Sequence, residues 1–245
     1  DATAEDDLYL IAAGGSGGGK FALAASAVTS VLETDLEASI GSNATIAADD
    51  GDATHLGSVY VTADQDSNVV IVGGSASGSK KAGIGAAAGV LVYDRNVDAY
   101  VGSGTVVAAD GDVKVDADLN ETVWAVAAGV GGSGKVQVNG AATVLTLTGS
   151  TLAAVEDNAR VTAGGTVSVT ADSHADLHTI AGTAGFGGKA GFGISASVIV
   201  HLDSVTARIG DSAVITALGA EGLLVSAHSS EDLLTIAAGA SGGGK

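Results

Sequence analysis

Apolar and polar residues alternate along much of the chain. In residues 59–62, 113–116 and 167–170, valine stands at the first and third positions. A period of two residues places these side chains on one face of a β-strand. Turn-forming pairs such as DG, GD, GG and DN separate the alternating stretches. The pattern predicts a protein built almost entirely of β-strands joined by short turns.

Alanine-rich stretches offer the main helical alternative, as in residues 22–28. The corresponding residues 82–90 and 190–198 contain several glycines. Each glycine disfavours a helix by about 1 kcal/mol relative to alanine. We therefore expect a strand in every copy of this stretch.

The chain is built from a tandem repeat. Residues 7–20 read DLYLIAAGGSGGGK, and related segments end at Lys81, Lys135, Lys189 and Lys245. The spacings between the five closing lysines are 61, 54, 54 and 56 residues. We assign residues 1–20 to the end of a preceding unit, and four units to residues 21–81, 82–135, 136–189 and 190–245.

A fixed repeat of this kind is the signature of a solenoid. The predicted fold is all-β, a parallel β-helix (β-solenoid) built from four tandem repeats of about 55 residues. A unit of this length exceeds one ordinary coil, so we expect two or three coils in each. Neither end carries a recognisable cap, and we expect one continuous solenoid. The alternative is a row of small β-sandwich domains, which would require linkers that the sequence lacks.

Composition agrees with stacked strands. The chain has 38 Gly and no Pro, Cys or Met. Proline cannot donate to a strand ladder, so a chain of laddered strands excludes it. The lack of cysteine excludes disulfides and thiolate metal sites. No apolar run approaches the roughly 18 residues of a membrane helix.

The formal net charge of −18 bears on the partners of the protein. Nucleic-acid binding depends on cationic contacts to phosphates, so we expect none. Anionic membrane surfaces would repel the chain, and we expect no membrane insertion. An acidic surface does leave room for divalent cations.

Acidic turns are the candidate metal site. Asp49, Asp50 and Asp52 cluster in one turn, and Asp110 and Asp112 occupy the matching turn of the next unit. Calcium takes six to eight oxygen ligands, which stacked Asp turns can supply. The third unit has only glycines at this turn, and the calcium-binding nonapeptide repeat is absent. The alternative is a set of solvated, turn-favouring aspartates. We predict no cofactor apart from this possible Ca²⁺.

Other candidate chemistry has weaker support. The GGSGGGK segment is followed by a strand and not by a helix, so we interpret it as a turn and not as a phosphate-binding loop. Its lysine is expected to be a surface charge that faces acidic neighbours. The five histidines share no repeat position, and we expect them on the surface. A glycosidase would need one site with positioned carboxylates and aromatic contacts to a sugar. Here every feature is repeated, and Trp124 is the only Trp. We therefore predict that the chain is not an enzyme.

The repeat motif resembles that of very large bacterial surface proteins. The motif A-x-[IV]-G is followed by alternating strands, as in residues 99–102 with 111–118 and in residues 207–210 with 213–217; Glu156 replaces its glycine in the third unit. It is similar to repeats of leukotoxin-like filamentous adhesins and filamentous haemagglutinin-type proteins. The resemblance covers essentially the whole chain. It implies an extracellular or cell-surface β-helix with an adhesive or scaffolding role.

These observations support three functional hypotheses. The first is a structural and adhesive segment of a long bacterial filament or surface stalk, whose partners are further copies of the repeat and cell-surface or host ligands. The second is an adhesin module that Ca²⁺ rigidifies. The third, implied by the resemblance alone, is the passenger of a secreted toxin.

Overall fold

The computed structural model describes residues 1–48 and 57–244, and all the regular structure in them is β-strand. Two long strands and one short strand form each coil. The first long strands are β1 (Ala2–Gly18), β4 (Val59–Ser79), β7 (Val113–Ser133), β10 (Val167–Gly187) and β13 (Leu223–Gly243). The second long strands are β2 (Phe21–Ile40), β5 (Ala82–Val101), β8 (Val136–Val155) and β11 (Ala190–Ile209). The short strands are β3 (Thr45–Ala48), β6 (Val106–Ala109), β9 (Arg160–Ala163) and β12 (Val214–Ala217).

Equivalent strands of successive coils stack into three parallel sheets. The first sheet has the order β1-β4-β7-β10-β13, the second β2-β5-β8-β11 and the third β3-β6-β9-β12. All the pairings are parallel and join each strand to its equivalent in the next coil. The predicted all-β parallel solenoid of repeats is confirmed.

One repeat forms one coil. Val59 pairs with Val113, and Val113 pairs with Val167, so the register advances by one full unit at each step. The expectation of two or three coils per unit is wrong. That expectation assumed several short strands in each unit, but each unit folds into two strands of about twenty residues.

The corner between the second and third sheets uses a left-handed backbone conformation in every coil. The residues at this corner are Asn43, Gly104, Asn158 and Ser212, with φ between 58° and 68°. Asparagine and glycine tolerate this region better than other residues do. The corner therefore repeats its geometry although its residue type varies.

The two long sheets converge toward the glycine-rich turn, while the third sheet holds them apart at the other end. We call the part of each coil near the turn the narrow half; it comprises residues 8–32, 69–93, 123–147, 177–201 and 233–244. The remaining described residues form the broad half. The largest buried apolar cluster lies in the broad half and includes Val97, Val115, Leu119 and Val169.

A second buried apolar cluster, which includes Ile71, Leu91 and Leu145, lies in the narrow half next to the broad half. Nearer the turn, small residues line the interior because the two backbones nearly touch there. A Cβ atom on Gly73 would lie 2.7 Å from the carbonyl oxygen of Ala88 on the facing sheet. A Cβ atom on Gly187 would lie 1.8 Å from that of Ala190. Real Cβ contacts do not occur at such distances, so these positions require glycine.

Candidate functional site

Three of the predicted calcium ligands, Asp49, Asp50 and Asp52, lie outside the described residues. The other two lie in the turn between β6 and β7. The Asp112 carboxylate accepts a hydrogen bond of 2.7 Å from the backbone N–H of Thr166 in the next coil. A Cβ atom on Gly165 would lie 2.1 Å from this carboxylate, which explains the glycine in the third unit. Asp112 therefore links successive turns.

No group of three or more His, Asp or Glu side chains is arranged to hold a metal ion within residues 1–48 and 57–244. Asp110 and Asp112 alone would supply too few ligands for calcium. The calcium hypothesis therefore depends on the turn that contains Asp49, Asp50 and Asp52, and it stays a prediction.

The lysine turns link the two long sheets, as the turn interpretation of the GGSGGGK segment requires. The turns stack along the solenoid, because the N–H of Lys135 donates to the carbonyl of Lys81, and the N–H of Lys189 donates to that of Lys135. In the described part of the chain, the ion pairs involve other cations. The expected pairing of these lysines with acidic neighbours is not seen there.

Two histidines on β10 lie on the outer face of the first sheet. The His178 ring stacks on that of Trp124 in the preceding coil, with centroids 4.1 Å apart and planes 5° from parallel. His174 Nδ1 lies 2.7 Å from the hydroxyl of Ser230 in the following coil. Both agree with the predicted surface position. His55 lies outside the described residues, and His228 is exposed.

His201 corrects the expectation of surface histidines, because its side chain is only 4% exposed and faces the interior. It belongs to a row of polar side chains that we call the interior cluster: Arg95, Glu121, His201 and Glu231. These four residues come from β5, β7, β11 and β13, so the cluster extends along the solenoid axis.

The guanidinium of Arg95 is the centre of the interior cluster. Its Nη2 atom lies 2.9 Å from Glu121 Oε2, and both side chains are fully buried. The same nitrogen lies 2.9 Å from His201 Nε2, two coils along from Arg95. Arginine only donates hydrogen bonds, so His201 Nε2 accepts and the ring proton lies on Nδ1. This Nδ1 faces Glu231 Oε1 at 3.1 Å.

The Arg95 side chain can extend along the solenoid axis to His201 because a glycine lies beside it in the next coil. Gly149 pairs with Arg95 in the intervening coil. A Cβ atom on Gly149 would lie 2.9 Å from the Arg95 Cγ atom and 2.0 Å from its carbonyl oxygen. The glycine of the third coil therefore leaves space for the arginine of the second.

Burial dominates the electrostatics of the interior cluster. Desolvation raises the pKa of Glu121 to about 7, although Arg95 lowers it, and Asp203 raises it further. Neither Glu121 oxygen nor the Arg95 Nε has a well-oriented hydrogen-bond partner. The pair thus has close charges but incomplete hydrogen bonding. It can hold a proton near neutral pH, and its buried position keeps it from contact with a substrate.

A second polar group continues this row toward the first coil. The Tyr93 hydroxyl accepts a hydrogen bond of 3.0 Å from Gln65 Nε2 and donates one of 3.3 Å to Asp6. Asp6, Ser67 and Glu121 are register neighbours in the first sheet. Neither group was expected from the sequence. The available signal was a charged or amide residue at an inward position of an alternating strand.

The acidic surface belongs to the broad half. Asp64, Asp118 and Asp172 are register neighbours on the outer face of the first sheet. Burial raises the pKa of Asp118, and the neighbouring carboxylates Asp64, Asp116, Asp172 and Asp66 raise it further. Like charges in such a ladder repel one another.

The outer surface of the narrow half is apolar on both long sheets. On the first sheet Ile11 is 75% exposed and Val130 51% exposed; on the second sheet Phe21 is 73% exposed and Ile194 68% exposed. Among the residues that the structure describes, no helix has the length and apolar character needed to cross a membrane.

Comparison of this chain with family models, with curated proteins and with solved structures found no match. The resemblance to filamentous adhesin repeats therefore rests on the sequence motifs alone.

Proposed function

We propose that this chain is a structural and adhesive segment of a long extracellular stalk or filament on a bacterial surface, in which each repeat lengthens the rod by one coil. The observation that carries this proposal is the continuity of strand pairing. The strand β4 pairs with β7, and β7 pairs with β10, over 21 residues in each case and without a break in register. Stacked repeats of this kind form stiff, quasi-one-dimensional bodies whose length scales with repeat number.

The surface of the broad half supports an extracellular, soluble role for that part. Most of its Asp and Glu residues face outward along both long sheets, as Asp118 and Asp94 do, whereas Glu121 faces inward. Such a surface favours solubility through self-repulsion. The lack of cysteine and the resemblance to exported repeat proteins agree with this location.

Further copies of the repeat are the expected partners. The strands β1 and β13 are the edges of the first sheet. Edge strands present unpaired backbone groups that template pairing with another strand. End-to-end addition of equivalent coils would continue the rod.

The position of the titratable groups supports the proposal of a non-catalytic role. The closest ion pair inside the solenoid, between Arg95 and Glu121, is fully buried. On the outer face of the first sheet, Asp64, Asp118 and Asp172 form a repeated ladder. A repeated, solvated ladder favours a scaffold over a single reaction centre.

Cryo-electron microscopy of the native assembly tests this proposal. We expect a fibre with a rise of about 4.8 Å per coil. A recombinant chain that lacks residues 82–135, one complete unit, should form a rod shorter by one such rise. Globular particles in the native material, or loss of the fold in the deletion variant, would contradict the proposal.

A further inference from the structure

The charged residues of this protein are segregated along each coil. All 28 Asp and Glu residues lie outside the narrow half. The charged residues of the narrow half, Lys20, Lys80, Lys81, Lys135 and Lys189, lie at its glycine-rich turn. Between the acidic broad half and the lysine turns, both outer faces are free of Asp, Glu, Lys and Arg in the described residues. The net charge of −18 is therefore not a property of this surface.

The outer faces of this segment form continuous apolar rows. One row on the first sheet contains Ile11, Val72, Val126, Ile180 and Ile236. One row on the second sheet contains Leu23, Ile84, Val138 and Phe192. Apolar patches of this extent on a water-exposed surface mark contact with another protein or with lipid.

In the part of this segment nearest the lysine turns, small and polar side chains line the interior and form hydrogen bonds, whereas Ile71, Leu91 and Leu145 are buried farther from the turns. Gln137 Nε2 donates to the Ser77 hydroxyl at 2.6 Å and to Asn139 Oδ1 at 2.9 Å. The Ser197 hydroxyl donates to Thr179 Oγ1 at 2.6 Å. In the part nearest the turns, polar and small side chains inside and apolar side chains outside reverse the usual arrangement of a water-soluble sheet. The same alternation is typical of strands that face lipid.

The length of the apolar segment matches a bilayer. In the third coil, it runs from Val123 to Ser133 along β7 and returns from Val136 along β8. Eleven residues of strand span about 35 Å, and the hydrocarbon core of a bilayer is about 30 Å thick. Trp124 and Tyr9 lie on the outer face where the segment meets the acidic broad half. Tryptophan and tyrosine are enriched at this level of membrane proteins.

Two apolar faces on opposite sides of a thin segment favour lipid over one protein partner. A single docking protein would cover one face and leave the other in water, whereas hydrocarbon surrounds both. The backbone groups of β4, β7 and β10 are paired with neighbouring coils on both sides, as a hydrocarbon environment requires. The edge strands would be completed by further coils or copies.

We propose that the narrow half inserts into the hydrocarbon core of a phospholipid bilayer, with the lysine turns at the far headgroups and the acidic broad half in water. This inference goes beyond the proposed stalk and rests on one part of it, the completion of the edge strands by further coils or copies. It also replaces the expectation of no membrane insertion, which was drawn from the net charge of the whole chain.

Trp124 is the only Trp and provides a built-in depth probe. The purified chain would be mixed with phosphatidylcholine vesicles whose lipids carry bromine either near the headgroup or near the middle of the acyl chain. We expect bromine near the headgroup to quench Trp124 more strongly. In a Trp124→Phe/Val130→Trp variant, we expect a blue-shifted emission that mid-chain bromine quenches more strongly.

The matched control places the probe in the broad half. Tyr60 is 59% exposed on the outer face of the same sheet. In a Trp124→Phe/Tyr60→Trp variant, we expect no blue shift and no quenching by either lipid. Equal quenching of the Val130 and Tyr60 probes would overturn the proposal.

A charge on the apolar face tests insertion through flotation. We expect Val130→Arg to reduce the fraction of chain that floats with the vesicles by at least about tenfold. Tyr60→Arg should leave flotation unchanged. Absence of flotation of the unmodified chain would refute the proposal. A blue shift of the Val130 probe without lipid, together with self-association in sedimentation, would show instead that a second copy covers this face. Because the native assembly is imaged separately, a fibre in that material together with no flotation would refute membrane insertion and leave the proposed stalk standing.

Discussion

The broad and narrow halves of each coil belong to the same strands but have opposite polarity. Along β7, Val115 and Leu119 face the interior in the broad half, while Asp116 and Asp118 face outward. Beyond Val123 the inward positions become Ala and Gly, and the outward positions become Trp, Val and Ala. The period of two never breaks. The side of the strand that carries the apolar residues changes in the middle.

The spacing between the sheets explains this change. The third sheet separates the long sheets in the broad half, where side chains as large as leucine fill the gap. Burying one such side chain contributes about 1.5–3 kcal/mol. In the narrow half, a second cluster that includes Ile71, Leu91 and Leu145 is buried next to the broad half, but nearer the turns the gap admits only small and polar residues and contributes less apolar burial. Near the turns, large apolar side chains such as Phe21 and Ile194 therefore lie on the outer faces.

The largest expected effect concerns the buried charge between the two halves. Arg95→Met should lower the free energy of unfolding by about 3–5 kcal/mol at pH 8, because Glu121 would be left as an unpaired buried carboxylate. The double variant Arg95→Met/Glu121→Leu should recover most of this loss. Urea denaturation followed by circular dichroism measures both. Equal stability of the wild type and the single variant would show that the pair has no structural role.

The next effect is the pH dependence of stability. Burial raises the pKa of Glu121 from 4.5 to about 7 in the folded protein. The folded state therefore binds this proton more tightly than the unfolded state. The associated stability is fully present below pH 4.5 and is lost as the pH rises through about 7. The expected loss is about 3 kcal/mol, from 1.36 kcal/mol per unit of pKa.

Denaturation series at several pH values would measure this loss. Glu121→Gln removes the titrating group and should flatten the profile between pH 4.5 and 7. Asp98 and Asp118 also have raised pKa values and contribute in the same direction, so a residual slope is expected. A profile unchanged by Glu121→Gln would assign the dependence to those groups.

Sheet spacing in the narrow half can be tested with two adjacent glycines. Gly73→Val places a side chain against the facing backbone of Ala88 and should destabilise the fold by about 1–3 kcal/mol. Gly74 faces outward, and the nearest atom to a Cβ there is the Ala12 carbonyl oxygen at 3.9 Å. Gly74→Val should change stability by less than about 0.5 kcal/mol. Thermal melts of both variants measure the two changes in stability. Similar losses of stability would show that the facing backbone does not exclude a side chain at Gly73.

The smallest expected effect concerns the acidic ladder of the broad half. Asp118→Asn removes one like charge beside Asp64 and Asp172, so it should stabilise the protein by up to about 1 kcal/mol in low salt. High salt screens this repulsion and should abolish the difference. Melting temperatures at two salt concentrations test this. A gain that persists in high salt would point to a cause other than charge.

Much of the fold was predictable because the same sequence pattern recurs in every unit. Five related segments with similar spacing predicted stacked units, and valine alternation predicted strands. The number of coils per unit was not predictable, because it depends on how far a strand continues before it turns. The glycines of the narrow half look like turn residues in sequence, yet many lie inside strands where two backbones touch.

The interior cluster could not be found from the repeat because it breaks the repeat. Arg95 stands where equivalent positions hold Thr34, Gly149 and Asp203. Its partners come from three other strands, and only the stacking distance brings Glu121 and His201 to one guanidinium. The calcium prediction, in contrast, followed a feature that does repeat, the Asp-containing turn. In the structure the Asp112 carboxylate instead accepts a hydrogen bond from the backbone of the next turn.

The sequence by itself determined the class of fold, the stacking of like residues and the separation of charge along each unit. These follow from local alternation and from a repeat that brings each residue beside its own equivalent. Only the tertiary structure decided which face of each strand lies inside. That choice depends on the distance between two sheets, because a wide gap buries leucine and valine, and a narrow gap admits glycine and turns the apolar side chains outward.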